Sequence, residues 1–222
     1  MTSRWPPISD GEDLIASLKR QPLLVVFRPK APRQLAPLLE PLQALGLIHV
    51  ELACLPRTDW SRQCRDLVSA FPALRLGAAS IVSREGLHAA REAGLSYGVS
   101  PILDLGLQKE AAAIGFPLVP GVMTPTEVRT ASRCGPGIVK LFPASSLGAT
   151  YWNRLRDPLG GTLPFCIAAG GLGPGEVGEW LAAGVDAVAV GSRWLVMGSS
   201  DGKEEINVEP LKALIAAITL QS

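Results

Sequence analysis

Short runs of consecutive apolar residues alternate along this chain with longer stretches whose apolar positions fall three and four apart. The first run is Pro22-Leu23-Leu24-Val25-Val26-Phe27; after it Leu35, Leu38, Leu39, Leu42 and Leu45 keep helical spacing until Gly46 stops them. The same strand–helix–stop unit then repeats. Strands are predicted at 47–52, 74–78, 95–99, 116–119, 138–142, 164–168 and 185–190. Helices are predicted at 60–70, 83–93, 104–114, 124–134, 150–156, 174–183 and from about Ser192. Thr124-Pro125-Thr126-Glu127 is a capping-box pattern with proline at the first helical position. A leading helix runs from Ser9 or Asp10 to about Arg20, with Glu12 and Asp13 in its first turn, and a trailing one lies near 208–220. Residues 1–9 read as an irregular arm and 198–207 as a polar loop.

Eight strand–helix units in 222 residues, with strands apolar on both faces, predict a (β/α)8 TIM barrel spanning residues 1–222 as a single α/β domain. The extra N-terminal helix and the C-terminal helix complete it. A doubly wound open sheet would need fewer strands and a wider spread of connections. Hydrophobic residues at 47% and charged residues at 18% describe a globular chain with a sizeable core. A net charge of +1 with no basic run gives no footprint for nucleic acid or an anionic membrane, and no stretch is long and apolar enough to span one. Cys54, Cys64, Cys134 and Cys166 are scattered without ligand spacing. The expectation is therefore reduced thiols in a cytoplasmic protein, with no disulfide framework and no structural zinc. His49 and His88 lie far apart, read as packing or surface residues, and predict no metal site.

A parallel barrel gathers its chemistry at the C-terminal ends of the strands. There this sequence places Arg28, Glu51, Ser80, Ser100-Pro101, Pro120, Lys140, Ala169-Gly170-Gly171 and Gly191-Ser192. Lys140 is the anomaly, a lysine inside the apolar run Ile138-Val139-Lys140-Leu141-Phe142. Burial drives an ammonium towards its neutral amine, the nucleophile that Schiff-base chemistry on a carbonyl needs. The alternative is a lysine that snorkels from the strand end or pairs with a carboxylate. Glu51 reads as a proton shuttle beside Lys140, as its ion-pair partner, or as both. Gly170-Gly171 and Gly191-Ser192 follow strands seven and eight, where barrels commonly hold phosphate, and a helix behind Ser192 would add favourable partial charge.

The stretch Gly135 to Gly148, GPGIVKLFPASSLG, is similar to the Schiff-base motif of the class I 2-keto-3-deoxy-6-phosphogluconate (KDPG) and 4-hydroxy-2-oxoglutarate (KHG) aldolases. That motif reads glycine, three residues, an aliphatic, lysine, Leu or Phe, Phe-Pro, Ser or Ala, three residues, glycine. The resemblance runs from about Pro22 to Leu195 and includes Gly46-Leu47, Pro120-Gly121, Phe165-Cys166, Gly170-Gly171 and Gly191-Ser192. It implies that Lys140 attacks the C2 ketone of a 2-keto-3-deoxy-6-phospho sugar acid while Glu51 moves protons. Cleavage of C3–C4 then leaves a pyruvate enamine and releases glyceraldehyde 3-phosphate. The resemblance assigns substrate binding to Arg28, Ser80, Pro101, Phe142, Gly170, Gly171, Gly191 and Ser192. It also implies a homotrimer that takes a small phosphorylated keto acid and uses neither metal nor organic cofactor.

The chain departs from the family pattern at several positions. Glu51 is followed by Leu52-Ala53-Cys54-Leu55, so the family's threonine is missing and Leu55 stands where its carboxylate-binding arginine belongs. Arg57, two places later, is the candidate to reach back in its stead, and Arg28 on the first strand matches an arginine often found there in the family. Ala79-Ser80 stands for the usual glycine-threonine, and Ala169 for the threonine of the KDPG enzymes. Phe142-Pro143-Ala144-Ser145-Ser146, with Gly148 and Tyr151, leans towards the 2-dehydro-3-deoxy-6-phosphogalactonate branch. The missing arginine suggests an alternative, a non-catalytic barrel that binds a phosphorylated sugar acid or 2-keto acid. A phosphate-binding isomerase would want a second acid/base residue that the chain does not supply.

Overall fold

The computed structural model describes residues 9–55, 58–198 and 204–219. Its main sheet is parallel and has nine hydrogen-bonded segments: β1 Leu23–Phe27, β2 His49–Ala53, β3 Arg75–Ala79, β4 Gly98–Val99, β5 Leu118–Val119, β6 Gly121–Val122, β7 Ile138–Leu141, β8 Phe165–Ala169 and β9 Ala187–Gly191. They are ordered β5-β4-β3-β2-β1-β9-β8-β7-β6. Only Pro120, which has no N–H to give the ladder, separates β5 from β6. Its carbonyl still accepts from the Lys140 N–H at 2.8 Å, so β5 and β6 are two halves of one stave. Nine segments, two of them sharing a stave, make the eight staves of the expected (β/α)8 barrel.

Alternation along the staves divides the apolar residues into two cores. Val25, Val50, Leu52, Leu76, Leu118, Leu141, Val188 and Val190 point outward and pack with the helices, among them α2 Ala36–Ala44, α3 Trp60–Ala70 and α8 Val177–Ala182. Leu24, Tyr97, Val99, Val119, Ile138, Ile167, Ala187 and Ala189 point inward and fill the barrel. The expected leading helix, α1 Ser9–Arg20, closes the N-terminal end: Leu14 and Leu18 are fully buried in the inner core. The helix starts read from sequence carry their caps. Ser83 Oγ accepts from the Gly86 N–H ahead of α4 Arg84–Glu92, and Glu127 Oε2 accepts from the Thr124 N–H at 2.7 Å ahead of α6 Pro125–Cys134.

The chain after β9 departs from the expectation. No helix runs on from Ser192; a single 3-10 turn, Ser192–Trp194, leads into β10 Val196–Gly198. The supposed polar loop holds β11 Glu204–Ile206, antiparallel to β10 with Val196 opposite Ile206. Gly198 and the Ser/Asp/Gly residues after it are poor helix formers, whereas Ile206 packs on the outer core and fixes the hairpin. The helix-end charge expected behind Ser192 is therefore absent. The C-terminal helix is α9 Glu209–Thr219. Most of the predicted arm, Arg57 and Leu220 lie outside the described residues.

Candidate active site

Lys140 sits on the inner face of β7 and is only 3% exposed; Glu51 sits on the inner face of β2 and is 1% exposed. The two staves face each other across the barrel. Burial pushes the Lys140 amine below the usual lysine range; the Glu51 charge opposes that shift and Arg28 adds to it. Burial likewise pushes Glu51 above the usual carboxylate range, against the pull of Lys140 and then Arg28. Neither Glu51 oxygen has a hydrogen-bond partner among the described residues, so no hydrogen bond locks the lysine to the acid. Both groups are driven towards their neutral forms, a free amine facing a carboxyl that can give or take a proton.

The amine opens onto a cleft of about 1350 Å³. Of the predicted site residues, Arg28, Lys140, Phe142, Gly170, Gly171, Gly191 and Ser192 line it. Phe142 lies beneath the amine, with Lys140 Nζ 4.9 Å from the ring centroid. The same ring supports the turn after β8. Gly170 and Gly171 have φ of +96° and +88°, and a Cβ on Gly170 would stand 2.8 Å from the Phe142 ring. Ser145 of the lysine motif donates its N–H to the Gly170 carbonyl at 3.1 Å. The motif therefore carries the buried lysine and also braces the neighbouring glycine turn, a role its spacing does not reveal.

Glu51, Ser80 and Pro101 are not among the residues that line the cleft. Arg28 Nη1 donates to Ser80 Oγ at 3.0 Å, joining the end of β1 to the turn after β3. Ser80 has φ of +61°, the one non-glycine residue at positive φ among those described, and strain of this kind marks a position held for a purpose. The Pro101 carbonyl runs against Gly121 on β6, the register partner of Lys140 on the neighbouring stave. Lys30, Arg193, Glu204 and Glu205 also line the cleft and were not singled out in the sequence; the two glutamates come from the hairpin read there as loop. No group of three or more His, Cys, Asp or Glu side chains among the described residues could hold a metal ion.

A closed parallel barrel with a sheltered amine open to its cleft and a buried carboxyl on the facing stave has the equipment of an enzyme that works through an imine on a carbonyl substrate. The model of the KDPG and KHG aldolase family matches residues 14–209, and the chain belongs to that family. It is 28% identical over 183 residues to a probable 2-dehydro-3-deoxy-6-phosphogalactonate aldolase of Rhizobium meliloti strain 1021, covering 82% of this chain and 85% of that one. It is 27% identical over 180 residues to the 2-dehydro-3-deoxy-6-phosphogalactonate aldolase of Escherichia coli K12, covering 81% of this chain and 87% of that one. A solved 4-hydroxy-2-oxoglutarate/2-dehydro-3-deoxyphosphogluconate aldolase superposes with a TM-score of 0.72 at 27% identity, covering 93% of this chain and 96% of that one.

Proposed function

We propose that this chain is a class I aldolase that cleaves and forms a 2-keto-3-deoxy-6-phospho sugar acid, with pyruvate and glyceraldehyde 3-phosphate as the products of cleavage. The observation that carries the reading is the buried Lys140 amine, lowered in basicity and open to the cleft. Lys140 Nζ adds to C2 of the keto acid, and loss of water from the carbinolamine gives the imine. The imine takes up the electron pair of the C3–C4 bond as the C4 hydroxyl loses its proton, leaving a pyruvate enamine and an aldehyde. Protonation at C3 and hydrolysis release pyruvate and return the amine. Glu51 is the carboxyl placed to carry these protons.

Arg28 and Ser80 hold the keto-acid carboxylate in place of the arginine that Leu55 displaces; their mutual hydrogen bond and the strain at Ser80 support this assignment. The turns at Gly170-Gly171 and Gly191-Ser192, with Arg193 beside them, hold the distal phosphate. The names of the two relatives quoted support a substrate of galactonate rather than gluconate configuration. Val82, Ile102 and Met123, in the loops after β3, β4 and β6 on neighbouring staves, are 56%, 48% and 39% exposed, and Leu105, which opens the helix after β4, is 46% exposed. This patch supports a homotrimer built on that rim, and four free thiols support a cytoplasmic setting.

The test is borohydride reduction in the presence of pyruvate, read by peptide mass. The reduced pyruvate adduct is expected on Lys140 and is expected to vanish in Lys140→Met, together with pyruvate release from both epimeric substrates. A protein that ligand stabilises against heat but that gives no adduct and no pyruvate is a binding barrel instead.

A further inference from the structure

Inside the barrel lies a tyrosine that the reaction above does not use. Tyr97, just before β4, is fully buried, and its hydroxyl has no hydrogen-bond partner among the described residues. Its ring crosses the inner side of β3 at Gly77, where an added Cβ would stand 2.5 Å from Cζ and 2.6 and 2.8 Å from the two Cε atoms. Gly77 is the register partner of Glu51. The missing side chain leaves room for the phenol ring on the stave next to the one that carries the acid. Glu51 is the stronger of the two charges felt by that phenol, ahead of Arg75.

Both oxygens of Glu51 and the hydroxyl of Tyr97 are thus buried and, among the described residues, unpartnered. Leaving either group unsatisfied is costly, and one hydrogen bond satisfies both. The other charged groups that face Glu51 are Lys140 from β7 and Arg28 at the end of β1. One layer below, His49 on β2 and Arg75 on β3 turn away to Ser17 and Asp13 of α1. In the proposed cycle Lys140 is engaged by the ketone and Arg28 by the carboxylate. Tyr97 is the donor that stays with Glu51 throughout.

We infer that Tyr97 is a positioning residue for Glu51, its hydroxyl donating to the carboxylate, directly or through one water, whenever Glu51 is ionised during turnover. The inference rests on the reading of Lys140 and Glu51 as an imine-forming pair. A hydroxyl that donates to the ionised form lowers the pKa of the acid, so its loss raises that pKa.

Tyr97→Phe removes the hydroxyl and keeps the ring. The rate of pyruvate trapping at Lys140 by borohydride, followed by mass across a pH series, is expected to show its acid limb moved up by about one pH unit. On the acid side kcat falls about tenfold, with KM within about twofold. In a Glu51→Gln background the same removal is expected to change nothing further, as befits a residue that acts through Glu51. Loss of folded protein lowers the plateau of trapping and leaves the limb where it was. An acid limb unmoved by Tyr97→Phe overturns the inference, and so does a tenfold loss that persists without the Glu51 carboxyl. If the unsubstituted protein forms no adduct, the imine reading itself falls and takes this one with it; an adduct whose limb ignores Tyr97 removes this one alone.

Discussion

At the base of the barrel His49 meets Ser17 Oγ at 2.9 Å, Arg75 meets Asp13 at 2.7 Å, and Gln21 spans the Gly46 carbonyl and the Ile48 N–H. Two residues further along β2, Glu51 has no hydrogen-bond partner among the described residues, and Lys140 faces it across the barrel without a hydrogen bond to it. His49 and Ser17 are as deeply buried as Lys140 and Glu51, although Asp13 and part of Arg75 reach solvent, and both layers contain a cation, so burial and charge alone do not separate them. The separation comes from α1: its polar face reaches the lower layer and its Leu14 and Leu18 close the floor, leaving the upper layer open only towards the cleft. Polar groups with protein partners give a stopper, although His49 Nδ1 and Arg75 Nε remain unpaired. Polar groups without them are held ready for something that enters from outside. A buried lysine and glutamate are thus evidence of chemistry here because they stand apart, whereas a closed ion pair would have been evidence of structure.

The comparison predicts different costs at the two layers. Glu51→Gln keeps the shape and removes the titrating oxygen, and kcat is expected to fall by about 10² to 10⁴ while unfolding in urea occurs at an equal or higher midpoint. A variant that loses stability along with rate would show that Glu51 is part of the scaffold. Arg28→Gln removes the charged donor next to Ser80. Loss of a charge-assisted bond of about 1.5–3 kcal/mol raises KM for the keto acid about 10- to 100-fold, with a smaller effect on kcat. An unchanged KM would return the carboxylate to another cation.

Most of the upper layer was legible in the sequence, because its residues break local patterns. A lysine in a β-branched run, an arginine at the end of one, and paired glycines after two others each contradict their surroundings. Tyr97 contradicts nothing: in Leu95–Val99 a tyrosine reads as core, and its relation to Glu51 exists only through the gap at Gly77 on a different stave. The bracing of Gly170 by Ser145 and the positive φ of Ser80 are hidden for the same reason, since each depends on a neighbour distant in sequence or on backbone geometry. The eight staves were legible from periodicity, yet the hairpin of β10 and β11 was not. Its polar composition resembles a loop, and Val196 and Ile206, opposite each other, tie it to the core.

The smallest effect lies at the base and concerns pH. Burial, followed by the charges of Arg75 and Arg20, lowers the pKa of His49 from 6.5 to about 4. In the unfolded chain the imidazole takes up a proton near its ordinary value, while in the folded chain it resists until near the lowered one. Between those two values the unfolded state binds more protons, so stability falls as pH falls from about 6.5 towards about 4 and is fully present above that window. The loss is of order 3 kcal/mol at most. His49→Gln keeps an amide within reach of Ser17 and cannot titrate, so the pH dependence of the urea midpoint should flatten across that window. The acid limb of imine formation should stay where it is, because His49 bonds Ser17 in the lower layer and is not among the charges that act on Lys140 or Glu51. A substitution at His49 that moved the limb of activity and left the slope of stability alone would mean that the two layers act as one electrostatic unit, and the division drawn between stopper and site would not hold.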